Sequence, residues 1–238
     1  MASVADLSAP YGNFLLAPRP GPGVCEVCFN LTDGYRRCYA CTKNASWLDA
    51  FAPISYSVGL EQLHHVLRSY KRLDNEVGRR FCLDLAAILW RFLRSHEACL
   101  ARRTNTERFD IVTVVPPRDQ HRGLQTIVGE LVEPTRERYC DCLKRGEADA
   151  PPHQFSAQKF EAVISLKDSS VLLIDDTWTT GASAQAAAAA LKSAGAQTVA
   201  AVTIGRHLNR EWHKNDRRLR AIDRPFEWDR CVCCATAD

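Results

Sequence analysis

The spacing of apolar positions changes several times along the chain, and each change predicts an element. Leu60, Leu63, Leu67 and Tyr70 recur at helical spacing and give way to Lys71-Arg72 and a polar break near Asp74-Asn75. A second helix is expected over about residues 79–101, with Phe81, Leu85, Ile88, Leu89 and Phe92 on one face. The period then shortens. Residues 109–115 are rich in β-branched side chains and close on Pro116-Pro117, which predicts a buried strand ending in a loop. A helix is expected over residues 122–133 and a short strand at Val163-Ile164. Val171-Leu172-Leu173-Ile174 reads as a fully apolar strand, and residues 182–194, with five consecutive alanines, as a helix that Gly195 stops. A last strand is expected over residues 198–204. Strands alternating with helices predict a parallel sheet covered on both faces, an α/β fold.

Composition narrows this. The 238 residues, 46% hydrophobic and 25% charged, fit one domain of ordinary size with a small appendage and exclude a disordered chain. No apolar run approaches the ~20 residues of a membrane span. No positive region precedes Phe14-Leu15-Leu16, so no signal peptide is expected and the cytoplasm is the expected location. The formal charge of only +3 gives no strong global attraction to nucleic acid.

Eleven cysteines in such a chain point to metal binding rather than disulfides. Cys25-x2-Cys28 and Cys38-x2-Cys41 stand nine residues apart. Two C-x2-C turns supply the four thiolates that tetrahedral Zn2+ prefers, and no position suggests an open coordination site, so a structural zinc is expected. Asp33-Gly34 between the pairs is a turn signal, and two short strands or a ribbon hairpin would present them face to face. Residues 17–22, rich in proline, read as a tail.

The most informative stretch follows the strand 171–174. Asp175 and Asp176 lie at its C-terminal end, where open α/β sheets bind ligands. Thr177, Thr179, Thr180, Gly181, Ala182 and Ser183 then lead into the alanine helix. Backbone N–H groups and a helix N-terminus make a phosphate cradle to which the hydroxyls add donors. Two carboxylates beside a phosphate need hydroxyls or Mg2+ to bind, and a sugar phosphate with its metal supplies both.

This stretch resembles the signature of type I phosphoribosyltransferases, which bind 5-phosphoribosyl 1-diphosphate (PRPP) with Mg2+. The resemblance implies that Asp175 and Asp176 hold the ribose hydroxyls and that residues 177–183 wrap the 5′-phosphate. It also places Pro116-Pro117-Arg118 in the pyrophosphate loop, with Arg118 on the diphosphate. Arg122-Gly123-Leu124-Gln125 is similar to a stretch of the ComF-type, competence-related members. So are the four-cysteine knuckle and the helix end Leu67-Arg68-Ser69-Tyr70-Lys71, which implies a PRPP-binding role for Lys71. The fold so implied is a phosphoribosyltransferase-like parallel sheet flanked by helices, with a small N-terminal zinc-binding module. The expected organisation is a tail (1–20), a knuckle (21–50), the transferase-like domain (51–206) and an extension (207–238).

The sequence departs from purine-salvage members at Thr179, where those carry an acidic general base; a threonine hydroxyl takes no proton usefully near pH 7. An amidotransferase reading fails as well, because Cys25 already belongs to the metal set. The ComF resemblance implies a mobile, Arg-rich segment before the last motif; here residues 151–159 hold a single cation, Lys159. Residues 206–230 carry eight Lys/Arg against five Asp/Glu, with Trp212, Phe226 and Trp228 interleaved. That pattern fits either an ion-paired extension packed on the core or a surface for single-stranded DNA, and the ComF resemblance implies DNA or DNA-processing partners. Cys231, Cys233 and Cys234 could join His207, His213 or the Cys140/Cys142 pair in a second metal site, or pack against the body. Cys82 and Cys99 read as core residues of their helix. Two readings remain: a Mg2+- and PRPP-dependent transferase with an unassigned acceptor, or a non-catalytic PRPP-sensing or DNA-handling protein.

Overall fold

A computed structural model of the chain describes residues 3–44, 46–72, 75–118, 122–147, 151, 153–222 and 225–234. Asp74 of the expected polar break and Pro152 of the expected mobile segment lie outside the described residues. The elements run α1 (Val4–Ser8), a 3-10 turn (Ala9–Asn13), α2 (Tyr39–Lys43), β1 (Ala50–Val58), α3 (Gln62–Ser69) and α4 (Glu76–Arg103). After these come β2 (Ile111–Val114), α5 (Gly123–Thr126) with a π turn (Ile127–Leu131), α6 (Glu133–Arg136), β3 (Leu143–Arg145) and β4 (Phe160–Ala162). The chain closes with β5 (Ser170–Trp178), α7 (Ala182–Ser193), β6 (Thr198–Leu208) and α8 (Asn215–Arg220).

The main sheet has the order β1-β6-β5-β2, every pair parallel, so each neighbour is reached by a crossover. Its two inner strands are buried almost without alternation, as expected when helices cover both faces. Helices α3 and α4 pack on β1 and β6, while α7 packs on β5 and β6. The alanine run explains the last contact: side chains of one carbon let α7 lie close to the sheet, and Ala186 to Ala189 are buried. The antiparallel β3/β4 hairpin leans on α7.

Strand β1 has no clear signature in the sequence. Pro53, Ser55 and Ser57 interrupt its apolar positions, yet it forms an edge of the sheet, the position that tolerates proline. Its outer side is met by Leu16, whose carbonyl accepts from Tyr56 N at 2.8 Å and whose amide donates to Ser55 Oγ at 2.9 Å. The N-terminal residues are thus packed rather than trailing: Tyr11 and Leu15 are buried, and α1 lies on α4. Three further differences concern boundaries. The helix expected over 122–133 is a short α turn that widens into a π turn. The strand expected at Val163-Ile164 lies just upstream, as β4, and both of those side chains are exposed. Strand β5 continues past Ile174 to Trp178, because Asp175, Thr177 and Trp178 stay in register with Thr203, Gly205 and Arg206 of β6.

Candidate functional site

The C-terminal ends of β2 and β5, the start of α7, the end of α3 and the β3/β4 hairpin converge on one cavity of about 430 Å3. Asp175, Asp176, Thr177, Thr179, Thr180, Gly181, Ala182 and Ser183 line it, and so do Pro117, Arg118 and Lys71. Every residue that the sequence offered for PRPP is therefore brought to a single concavity.

The two carboxylates differ. Asp176 is buried, and its Oδ2 accepts a hydrogen bond of 2.7 Å from Tyr70 Oη and an ion pair from Lys71. Tyr70 is itself buried; burial and the Asp176 charge push its phenol well above the usual 10, so it stays a donor. The Asp175 carboxyl, which has no ion pair among the described residues, is pushed up to about 7 by loss of water and then by the neighbouring Asp176, with Lys71 opposing. A carboxyl in that state favours hydroxyl donors or a cation, so the pair fits Mg2+ and a vicinal diol.

The loop after β5 turns sharply. Gly181 caps α7 at φ +82, and a Cβ there would stand 2.1 Å from the Trp178 ring, so glycine is required on both counts. Trp178 folds under the loop and stacks at 4.1 Å on Phe51 of β1. Gly181, at the N-cap of α7, has no side chain to cap the helix; Ala182 N meets only the Thr180 hydroxyl, at a long 3.4 Å, and Ala182 and Ser183 line the cavity. Opposite, Lys159 Nζ donates to Ser183 Oγ at 2.8 Å, and burial with Arg145 and Arg118 lowers its pKa. Arg68, Arg72 and Arg145 also line the cavity. The sequence suggested a mobile segment nearly without cations; the hairpin changes that, because β3 supplies Arg145 beside Lys159. Tyr70, Arg145 and Arg68 were not singled out for the site. The first reads as a helix core position, and the other two gain meaning only from their placement.

Behind the loop lies the four-cysteine module. The sulfurs of Cys25, Cys28, Cys38 and Cys41 all lie within 4.8 Å of one another, with Cys28 and Cys38 at 3.6 Å. A Val24–Leu31 bridge encloses the first pair, as a hairpin should, but the second pair sits at the start of α2 rather than on a strand. Cys38 N donates to Cys25 Sγ at 3.3 Å and Arg206 Nη2 to Cys28 Sγ at 3.5 Å, so donors already face the sulfurs. Four thiols in this arrangement could hold a metal ion, and their softness and spacing suit Zn2+. Arg206 also donates to the carbonyls of Cys28 at 2.9 Å and Trp178 at 3.3 Å. Asn44 reaches Thr180 O at 3.4 Å, and Gln185 of α7 accepts from Trp47 N at 2.6 Å. The module thus braces the back of the candidate phosphate loop.

Among the described residues, no group of metal-ligating atoms joins the C-terminal thiols to His207, His213, Cys140 or Cys142. His207 stacks on His64 and bonds Ser57 O, and Cys142 is buried in the core cluster. Cys231 and Cys234 lie instead beside His96 and Cys99 of α4, so Cys99 is not simply a core residue. In the extension, Arg210, Arg220, Arg218 and Arg230 pair with Asp216, Asp33 and Glu227, and Trp228 lies under Arg91 at 4.3 Å.

With this geometry in view, a family model for the phosphoribosyl transferase domain matches residues 101–232, more than half of the chain. The chain belongs to that family, and its parallel sheet flanked by helices agrees. No curated protein matches it. Among the described residues, no helix is long and apolar enough to cross a membrane.

Proposed function

We propose that the cavity binds Mg2+–PRPP and that the chain transfers its phosphoribosyl group to an acceptor, as a ComF-type phosphoribosyltransferase. The observation that carries this reading is the pairing of two inequivalent carboxylates with a hydroxyl-rich helix start across one cation-rimmed cavity. Asp175 and Asp176 accept hydrogen bonds from the ribose hydroxyls, with Tyr70 and Lys71 holding Asp176 in place. The amides of residues 177–183, with the hydroxyls of Thr177, Thr179, Thr180 and Ser183, take the 5′-phosphate. Pro117 and Arg118 approach the diphosphate, and Arg145 and Lys159 close over it.

The acceptor's lone pair forms the new bond at C1 as the bond from C1 to the diphosphate oxygen breaks, and the electron pair leaves with pyrophosphate. Bound Mg2+ supplies charge neutralisation on that leaving group. Arg118, Arg145 and Lys159 add fixed positive charge to the same end, and positioning contributes much of the rate. Thr179 supplies no base, so the acceptor must be nucleophilic as it arrives. On this reading residues 51–206 carry the transferase fold and residues 21–50 a closed, structural Zn2+ module. Residues 1–20 and 207–238 flank them. The missing base at Thr179 favours a second reading, a non-catalytic PRPP sensor; the ion pairing of the extension gives no support to a DNA surface.

Release of pyrophosphate from Mg2+–PRPP, followed with a panel of nitrogen nucleophiles, separates the two. We expect release above the protein-free rate that is lost in Asp175→Asn/Asp176→Asn. PRPP binding with release no faster than in that double variant would overturn the transferase reading and leave the sensor.

A further inference from the structure

We propose that His96, Cys99, Cys231 and Cys234 form a second zinc site, which clamps the C-terminal extension to the long helix α4. The inference is independent of what the cavity binds.

His96 and Cys99 stand three residues apart in the last turns of α4 and so share one face. Cys231 and Cys234 stand three apart on a turn closed by a 3.2 Å bond from Cys234 N to Cys231 O. The four ligand atoms all lie within 4.8 Å of one another. Cys99 Sγ is 3.8 Å from Cys234 Sγ, which is 3.5 Å from Cys231 Sγ; His96 Nδ1 is 3.6 Å from Cys234 Sγ and 3.9 Å from Cys99 Sγ. A tetrahedral ion with Zn–S of about 2.3 Å and Zn–N of about 2.0–2.1 Å needs edges of about 3.8 Å between sulfurs and about 3.6 Å from nitrogen to sulfur. The observed edges match that polyhedron and are far longer than the ~2.05 Å of a disulfide.

The surroundings are those of a ligand set. His96 is buried, and its Nε2 lies 2.9 Å from Trp228 O, a carbonyl that can only accept. The proton therefore sits on Nε2, which leaves the Nδ1 lone pair facing the sulfurs, the usual way a ligating imidazole is oriented. Cys231 N donates to Cys234 Sγ at 3.2 Å and Arg102 Nη2 to Cys99 Sγ at 3.4 Å. The first cluster has the same two features, an amide and a guanidinium on its sulfurs. Cys233 lies outside this set of four: its thiol neighbours that of Cys231 and is 4.0 Å from Phe51 O. Three thiolates and a neutral imidazole in a closed set suit Zn2+ and leave no position for a substrate. Cys231-x2-Cys234 comes from the very end of the described chain and His96-x2-Cys99 from its middle. The ion would therefore close a long loop and hold the Trp228 ring beneath Arg91.

Metal content of the full chain, purified in reducing buffer, tests this. We expect two zinc ions per chain in the wild type and in Cys233→Ser. One is expected in Cys231→Ser, in His96→Ala and, from the other cluster, in Cys28→Ser/Cys38→Ser. A second measurement needs no variant: Co2+ added to the apo wild type should saturate its thiolate-to-metal absorption at two equivalents. One zinc per chain, unchanged by Cys231→Ser, or saturation at one equivalent of Co2+, would overturn the proposal.

Discussion

Asp175 stands beside a second carboxylate that already has its partners, and that inequality carries a pH dependence. Its pKa is raised from an ordinary 3.8 to about 7, so between these values the native chain holds a proton that the unfolded chain has lost. Stability of the free protein should therefore fall as pH rises across that interval. Ribose hydroxyls donate best to the ionised form, so affinity for Mg2+–PRPP should rise as pH passes from about 6 to about 8. Titrations at several pH values check this; in Asp175→Asn the rise should shrink to what the ligand's own phosphates contribute. An equal rise in wild type and variant would contradict the assignment. At this scale the sequence was legible where chemistry is local. The acidic pair, the hydroxyl loop and the two cysteine pairs are contiguous motifs, and the structure brings each set together. Tyr70 and Arg145 were not legible, since their roles arise from contacts across 106 residues for the Tyr70–Asp176 bond and from a hairpin for Arg145.

The loop that joins β5 to α7 is the element on which the site depends, and it rests on Trp178 beneath it. Gly181→Ala would place a Cβ into the Trp178 ring and force an L residue to φ +82. The expected cost is about 1–3 kcal/mol of stability. Displacing the loop amides should also weaken Mg2+–PRPP binding by about tenfold or more. Thermal unfolding and a binding titration on the same sample check both; an unchanged affinity would mean that the loop does not grip the ligand. Helix α4 is readable from the chain because burial of one face writes a helical period, and α7 because its alanine run favours a helix wherever it lies. Strand β1 is not, since small and polar side chains replace the apolar alternation at a sheet edge closed by Leu16. The second cysteine pair was expected on a strand and occurs at a helix start, because a C-x2-C turn fits either setting.

In the whole molecule the candidate cavity and the four-cysteine module are back to back, joined through Arg206, Asn44, Gln185 and Trp178. The N-terminal module is thus part of the scaffold for the candidate phosphate loop. The extension returns to α4, and Arg210, Arg218, Arg220 and Arg230 pair with Asp216, Asp33 and Glu227. Its aromatic and basic composition left two readings open in the sequence, because composition does not record pairing; in the structure four of its arginines are ion-paired and Trp228 packs under Arg91, while Trp212 is exposed. The joining of Cys231 and Cys234 to His96 and Cys99 was equally hidden, since their partners lie more than a hundred residues away. The central claim is that Asp175 and Asp176 belong to a working PRPP site. Calorimetric titration of Mg2+–PRPP into the zinc-loaded wild type and into Asp175→Asn/Asp176→Asn tests it most directly. The account predicts saturable binding, of micromolar order, that the double variant abolishes while keeping its fold and its zinc. No binding by the folded, zinc-loaded wild type, or equal binding by both proteins, would contradict it.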